Sequence, residues 1–173
     1  MLLSHTAQRE GELLSFLRGE LALSSGLVKR LKWQNAFFLD GAPVHTNARV
    51  KPGQEITVRI EEAPEGFLPQ ALPIDILYED AYMIALDQPA GQLVHPSPRK
   101  NEGTLANALL GYYERTDQPC GIHPVTRLDR DTFGVVLLAK NAHIHAKLCQ
   151  LMKDGAIHKT YLASVFGCPE QPA

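Results

Sequence analysis

A chain of 173 residues, 45% hydrophobic and 21% charged, has the size and composition of one ordinary globular domain, or of a domain with a small appendage. No apolar stretch reaches the roughly 20 residues a membrane helix needs, and MLLSHTAQRE at the N-terminus lacks the basic start and apolar core of a secretory signal, so a cytoplasmic protein with no membrane partner is expected. Cys120, Cys149 and Cys168 are too few and too scattered for a disulfide framework or a paired-cysteine zinc site.

The net charge of −2 hides an uneven distribution. Residues 1–60 carry 8 Lys/Arg against 5 Asp/Glu, residues 61–98 none against 7, and residues 99–173 9 against 7. Two mildly basic ends therefore flank an acidic middle, a balance that permits a polyanionic partner without demanding one.

In chain order, Leu13, Leu14 and Leu17 recur at helical spacing. Ser24 or Ser25 is placed to cap a second helix, with Leu27, Val28 and Leu31 on one side and Lys29, Arg30 and Lys32 on another. Phe37 to Leu39, Asp40-Gly41, then Pro43 and Val44 predict a strand, a tight turn and a returning strand. Lys51-Pro52-Gly53 turns the chain into the alternating Ile56-Thr57-Val58-Arg59-Ile60. Residues 61–73, EEAPEGFLPQALP, combine three prolines with three glutamates and are expected to be an acidic linker.

Beyond it, IDILYEDAYMIALDQ predicts two strands around an acidic turn at Glu79-Asp80, followed by a Pro-Ala-Gly turn and Leu93-Val94-His95-Pro96. Thr104 opens a small helix, and Val135 to Ala139 is an almost wholly apolar strand. Asn141 caps a helix bearing Ile144, Leu148, Leu151 and Met152, which Gly155 ends. HKTYLASVFG, residues 158–167, is rich in β-formers and predicts a further strand. Without the regular rhythm of a doubly wound sheet, the fold class is α+β.

VTRLDRDTFG, residues 125–134, sets Asp129 between Arg127 and Arg130 at the entrance to an apolar strand. Loops at the rim of a rigid sheet often carry catalysis. A carboxylate among guanidinium groups can serve as a nucleophile or a general base; a surface ion-pair cluster accounts for the same residues.

The first 60 residues resemble the S4 RNA-binding domain, a helix pair followed by a short bent sheet, in Leu-Ser-Ser-Gly…Lys-Arg-Leu, LDGAPV and VKPGQEITV. That resemblance implies RNA binding through Lys29, Arg30 and Lys32. The ordered motifs DQPAGQLVHPS, HPVTRLDRDTFG and KTYLASVFG are similar to those of the RluA-type pseudouridine synthases. This resemblance divides the chain into an S4-like unit (1–60), a linker (61–73) and the N-terminal portion of a mainly antiparallel catalytic domain (74–173). It implies isomerisation of uridines in ribosomal or transfer RNA, with no metal or organic cofactor. Asp129 matches the family's nucleophile, Arg127 the arginine that fills the space left by the flipped nucleotide, and Tyr161 the tyrosine that packs on the target base.

The chain departs from the family at Thr126 (usually His), Phe133 (usually Ser) and Gln88 (usually Lys), and it holds no HQIRxH-like motif. On this resemblance a truncated catalytic domain is expected, one that binds RNA weakly, turns over little uridine and self-associates through an uncovered sheet. Three other readings are weaker. Asp131-Thr132-Phe133-Gly134 is a spoiled Asp-Thr-Gly protease motif without its second aspartate. His143, His145 and Cys149 do not share one helix face and are expected to be exposed histidines and a half-buried thiol rather than a zinc site. A non-catalytic RNA-binding protein is the rival from another class.

Overall fold

The computed structural model describes residues 1–62, 65–129 and 131–167. Its elements, in chain order, begin with β1 (Leu2–Thr6), β2 (Gly11–Glu12), α1 (Leu13–Arg18), α2 (Ser25–Trp33), β3 (Phe37–Leu39), β4 (Ala42–Pro43), β5 (Arg49–Val50) and β6 (Glu55–Arg59). They continue with β7 (Asp75–Glu79), β8 (Met83–Gln88), α3 (Leu105–Arg115), β9 (His123–Pro124), β10 (Gly134–Ala139) and α4 (Ala142–Lys153). The α+β class follows directly: two four-stranded antiparallel sheets, ordered β1-β6-β3-β4 and β7-β8-β10-β9, with helices packed on them.

Each sheet has its own core. In the first, Leu13, Phe16 and Leu17 of α1 and Leu27, Val28 and Leu31 of α2 bury against Phe37, Ile56 and Val58. Ser24 caps α2 by accepting from the Leu27 amide. Asp40 and Gly41, both at positive φ, form the tight turn whose twist suits a two-residue hairpin. The sheet also gains β1, which the sequence pattern did not predict: MLLSHT alternates only once it is laid in register against β6.

The second core lies between α3 and its sheet. Leu86 opposes Val136 and Ile84 opposes Leu138, and all four are buried with Leu105, Leu109 and Tyr113 of α3. A fully buried aliphatic of this kind contributes about 1.5–3 kcal/mol. Thr104 and Asn107 form a reciprocal capping box, and α3 then runs 11 residues, longer than the small helix predicted. Asn141 caps α4, and at its other end Gly155 N–H reaches Met152 O while Ala156 N–H reaches Leu151 O, with Gly155 at φ +70.

Two expectations are corrected. Residues 158–167 form no strand: no ladder partner exists for them among the described residues, and Tyr161, Leu162, Val165 and Phe166 stand exposed. Strand formers need a neighbour to pair with, and here none is beside them. His143 is buried, not exposed; its position immediately after the α4 cap turns it inward.

The acidic linker is not a free tether over residues 65–73. Gln70 N–H donates to Asn107 O, Asn107 Nδ2 donates to Leu68 O, and Gly103 N–H donates to Gln70 Oε1. The approach is so close that a Cβ on Gly111 would lie 2.3 Å from the Gln70 carbonyl oxygen.

Candidate active site

The loop that leaves β9 is pinned before it reaches Asp129. Val125 and Thr126 both donate their amides to Leu137 O, and Leu137 N–H donates back to Thr126 Oγ1 at 2.9 Å. One residue further, Leu128 packs against the second core, so its neighbours Arg127 and Asp129 face outward and are exposed. Thr132 N–H then closes a turn onto Asp129 O at 3.0 Å, and Gly134, at φ +121, starts β10. The sequence thus alternates anchor and display: Thr126 and Leu128 hold the loop, Arg127 and Asp129 are presented. No ion pair joins Arg127 to Asp129 among the described residues.

A cavity of about 750 Å³ opens beside this loop. It is lined by Thr126, Leu128, Asp131 and Phe133 of the loop, Val135 and Leu137 of β10, and the segment from His158 to Leu162. Tyr161, 58% exposed, is therefore brought to the same cavity as the Arg127–Asp129 loop, although the two are more than 30 residues apart in sequence. Asp129 is not itself among the lining residues; Leu128 and Asp131, on either side of it, are. Phe133, 74% exposed, also borders a second cavity with Gln88, Pro89 and Ala90. Gln88 is buried, and its Nε2 donates to Gln92 O at 2.6 Å, closing the Pro-Ala-Gly turn from inside. Its amide oxygen has no partner among the described residues.

The three basic residues of α2 separate into two groups. Lys29 and Lys32 are exposed. Arg30 instead points to Glu62, with Nη2 3.8 Å from Oε1. Glu62 also accepts from the Ala142 amide at the start of α4 and shares a 2.9 Å hydrogen bond with His123 Nε2. Burial alone would raise the Glu62 carboxyl. The His123 hydrogen bond, the Ala142 amide and the nearby charges outweigh it and hold the group below its ordinary 4.5. Glu62 thereby joins α2, β9 and α4, a role its place in an acidic run did not disclose.

A second polar cluster missed by sequence reading is structural. Lys140, buried at the end of β10, donates to Glu79 Oε1 at 2.7 Å and to Gln118 Oε1 at 2.8 Å, while Tyr112 OH donates to Glu79 Oε2. Burial pushes the Glu79 carboxyl up, but these donors hold it lower overall. On α4, His145 Nε2 lies 3.4 Å from Cys149 Sγ and 3.2 Å from Pro124 O. His143 faces the interior, where burial and Lys147 hold its pKa below 6.5. No three metal-ligating side chains converge among the described residues.

A family described as RNA pseudouridylate synthase matches residues 82–173, which include the loop, β10 and Tyr161. The Bacillus subtilis (strain 168) protein "Uncharacterized RNA pseudouridine synthase YjbO" is 32% identical over 152 residues, 86% of this chain and 54% of its own. The Pseudomonas aeruginosa "Ribosomal large subunit pseudouridine synthase D" is 33% identical over 130 residues, 75% of this chain and 41% of its own. This chain spans about half the length of the curated relatives it matches. Among solved structures, "Human RNA Pseudouridylate Synthase Domain Containing 4" is 22% identical, covers 46% of this chain and 30% of its own, and has a TM-score of 0.38, too low to bear on the fold.

Proposed function

We propose that this chain, which belongs to the RNA pseudouridylate synthase family, carries the nucleophile-bearing part of an enzyme that converts uridine in RNA to pseudouridine. In this reading Asp129 is the nucleophile, attacking either the ribose anomeric carbon or the uracil ring. The N-glycosidic bond breaks, the base rotates, and a carbon–carbon bond forms in its place. The proton lost from the ring carbon is balanced by one gained at the freed nitrogen, so the isomerisation needs no oxidant or reductant. Arg127 fills the space left by the flipped nucleotide and Tyr161 packs on the displaced base, an aromatic face suited to an extruded nucleobase. Residues 1–60 act as an S4-like RNA-binding unit through Lys29 and Lys32, with Arg30 committed to Glu62. The name of the Pseudomonas relative makes large-subunit ribosomal RNA the first substrate to try, ahead of transfer RNA.

The observation that carries this reading is the shared cavity: the loop holding Asp129 and the segment holding Tyr161 border the same space. Its test is pseudouridine formation, followed by release of tritium from RNA labelled at the uracil carbon that forms the new bond. Asp129→Asn should abolish release and leave RNA binding unchanged, whereas Asp131→Asn should retain measurable activity. The reverse result assigns the nucleophile to Asp131, which lines the cavity directly.

One observation favours a second reading, RNA binding without turnover by the 173-residue chain. Tyr161 sits in a segment with no partner strand among the described residues. A loosely held group forfeits much of the rate gained from positioning. Salt-sensitive RNA binding with no tritium release, in wild type and Asp129→Asn alike, identifies this case.

A further inference from the structure

The single tryptophan of the chain, Trp33, is the last residue of α2 and is 83% exposed. A lone exposed apolar side chain needs no explanation by itself. Its surroundings single this one out. Lys29 lies one helical turn before Trp33, and Lys32 lies three residues beyond Lys29, so the three share one face of the helix. All three are exposed, while Leu27, Val28 and Leu31 turn the opposite face into the first core. No carboxylate stands on α2. The indole stacks on no other ring and lies under no cation among the described residues. Arg59 does not join this surface: its guanidinium lies over Phe38 and 4.0 Å from Glu61.

The chemistry of the face selects its occupant. Protein interfaces are depleted in lysine around their aromatic anchors, and a membrane would require a broad apolar face, whereas that of α2 is already buried. A flat aromatic surface beside two ammonium groups on one helix face fits a nucleobase stacked on the ring with neighbouring phosphates on the lysines. A base within a duplex has its faces occupied by its neighbours, so the fitting ligand is an unpaired nucleotide. We propose that Trp33, with Lys29 and Lys32, forms a stacking site for one unpaired RNA base. This site lies outside the cavity of the proposed reaction. It deepens the RNA-binding reading of residues 1–60 and rests on it.

Because Trp33 is the only tryptophan, its fluorescence reports this site directly. The 173-residue chain is titrated with a single-stranded RNA oligonucleotide, with a blunt duplex of the same composition, and with inorganic polyphosphate. End-labelled RNA anisotropy measures binding in parallel. Saturable quenching is expected with the single strand, and little with the duplex or polyphosphate. Trp33→Ala should weaken single-strand binding about tenfold, since a stacked base contributes ~1–3 kcal/mol, and Trp33→Phe should restore most of the affinity. Being exposed, the position should tolerate both changes without loss of fold. Binding seen by anisotropy with unchanged tryptophan emission, or equal affinity of Trp33→Ala and wild type, overturns the stacking site while leaving RNA binding intact. Equal quenching by polyphosphate overturns it in favour of charge alone. No binding to any RNA overturns both this proposal and the RNA-binding reading.

Discussion

Leu137 and Thr126 exchange hydrogen bonds in both directions: the Leu137 amide donates to Thr126 Oγ1 at 2.9 Å, and the Thr126 amide donates to Leu137 O at 3.2 Å. Thr126 therefore acts as the side-chain hydrogen-bond fastening of the loop before Asp129, with Leu128 packed on the core after it. Thr126→Val keeps the shape but removes the acceptor. It should cost about 1 kcal/mol of stability, the net worth of such a bond, and should speed hydrogen exchange at the Leu137 amide. Thr126→Ser should restore both. If Leu137 exchanges as slowly in the valine variant as in wild type, the side chain does not fasten the loop.

Acid should weaken the protein in two stages. The His143 pKa is held below 6.5 by burial and by Lys147, so the unfolded chain takes up a proton that the folded chain resists. Its contribution is lost as pH falls from 6.5 toward the lower folded value. Glu62 is held below 4.5, so its contribution is present above 4.5 and is lost as pH falls through the folded value. Urea midpoints measured from ~pH 7.5 to ~pH 3.5 should therefore decline throughout. His143→Leu should flatten the upper part of the decline and Glu62→Gln the lower part. A wild-type midpoint that does not change between ~pH 7.5 and ~pH 5.5 would contradict the burial effect at His143.

The exposed apolar residues of 158–167 should make the chain associate with itself. Leu162 and Phe166 are fully exposed, and the backbone groups beside them have no partner among the described residues. Exposed apolar side chains beside free backbone groups invite pairing with another chain. Sedimentation should show a mass that rises with concentration, and the paired change Leu162→Lys with Phe166→Lys should return it to a monomer. A wild-type chain that stays monomeric at every concentration would show that these side chains find cover within the molecule.

Local chemistry made much of this molecule legible. Ser24, Thr104 and Asn141 announce their helices because an N-cap acts within three residues, and Asp40-Gly41 announces its turn because few other pairs tolerate two positive φ angles. That Leu128, Asp131 and Tyr161 border one cavity was not legible in local chemistry, since the cavity forms from segments distant in sequence. What failed was non-local. β1 is a strand because β6 lies beside it, and 158–167 is not one because no strand pairs with it among the described residues. Arg30 resembles its lysine neighbours until Glu62 is placed against it. The fastening at Thr126 required knowing the register of β10.

The contact between Gln70 and Gly111 fixes where this protein can vary in length. Glu65 accepts from the Ile122 amide, Leu68 O and Gln70 N–H bond to Asn107, and the Gln70 carbonyl lies where a methyl group at position 111 would be, so the connecting segment is tied to the second unit at several points. An insertion or deletion of one residue between Glu65 and Gln70 would slide Gln70 off Gly111, the one glycine of α3. It would also strand the Asn107 carboxamide, which serves Leu68 O and the α3 cap at once. A stretch whose composition reads as spacer is thus among the places least able to gain or lose a residue.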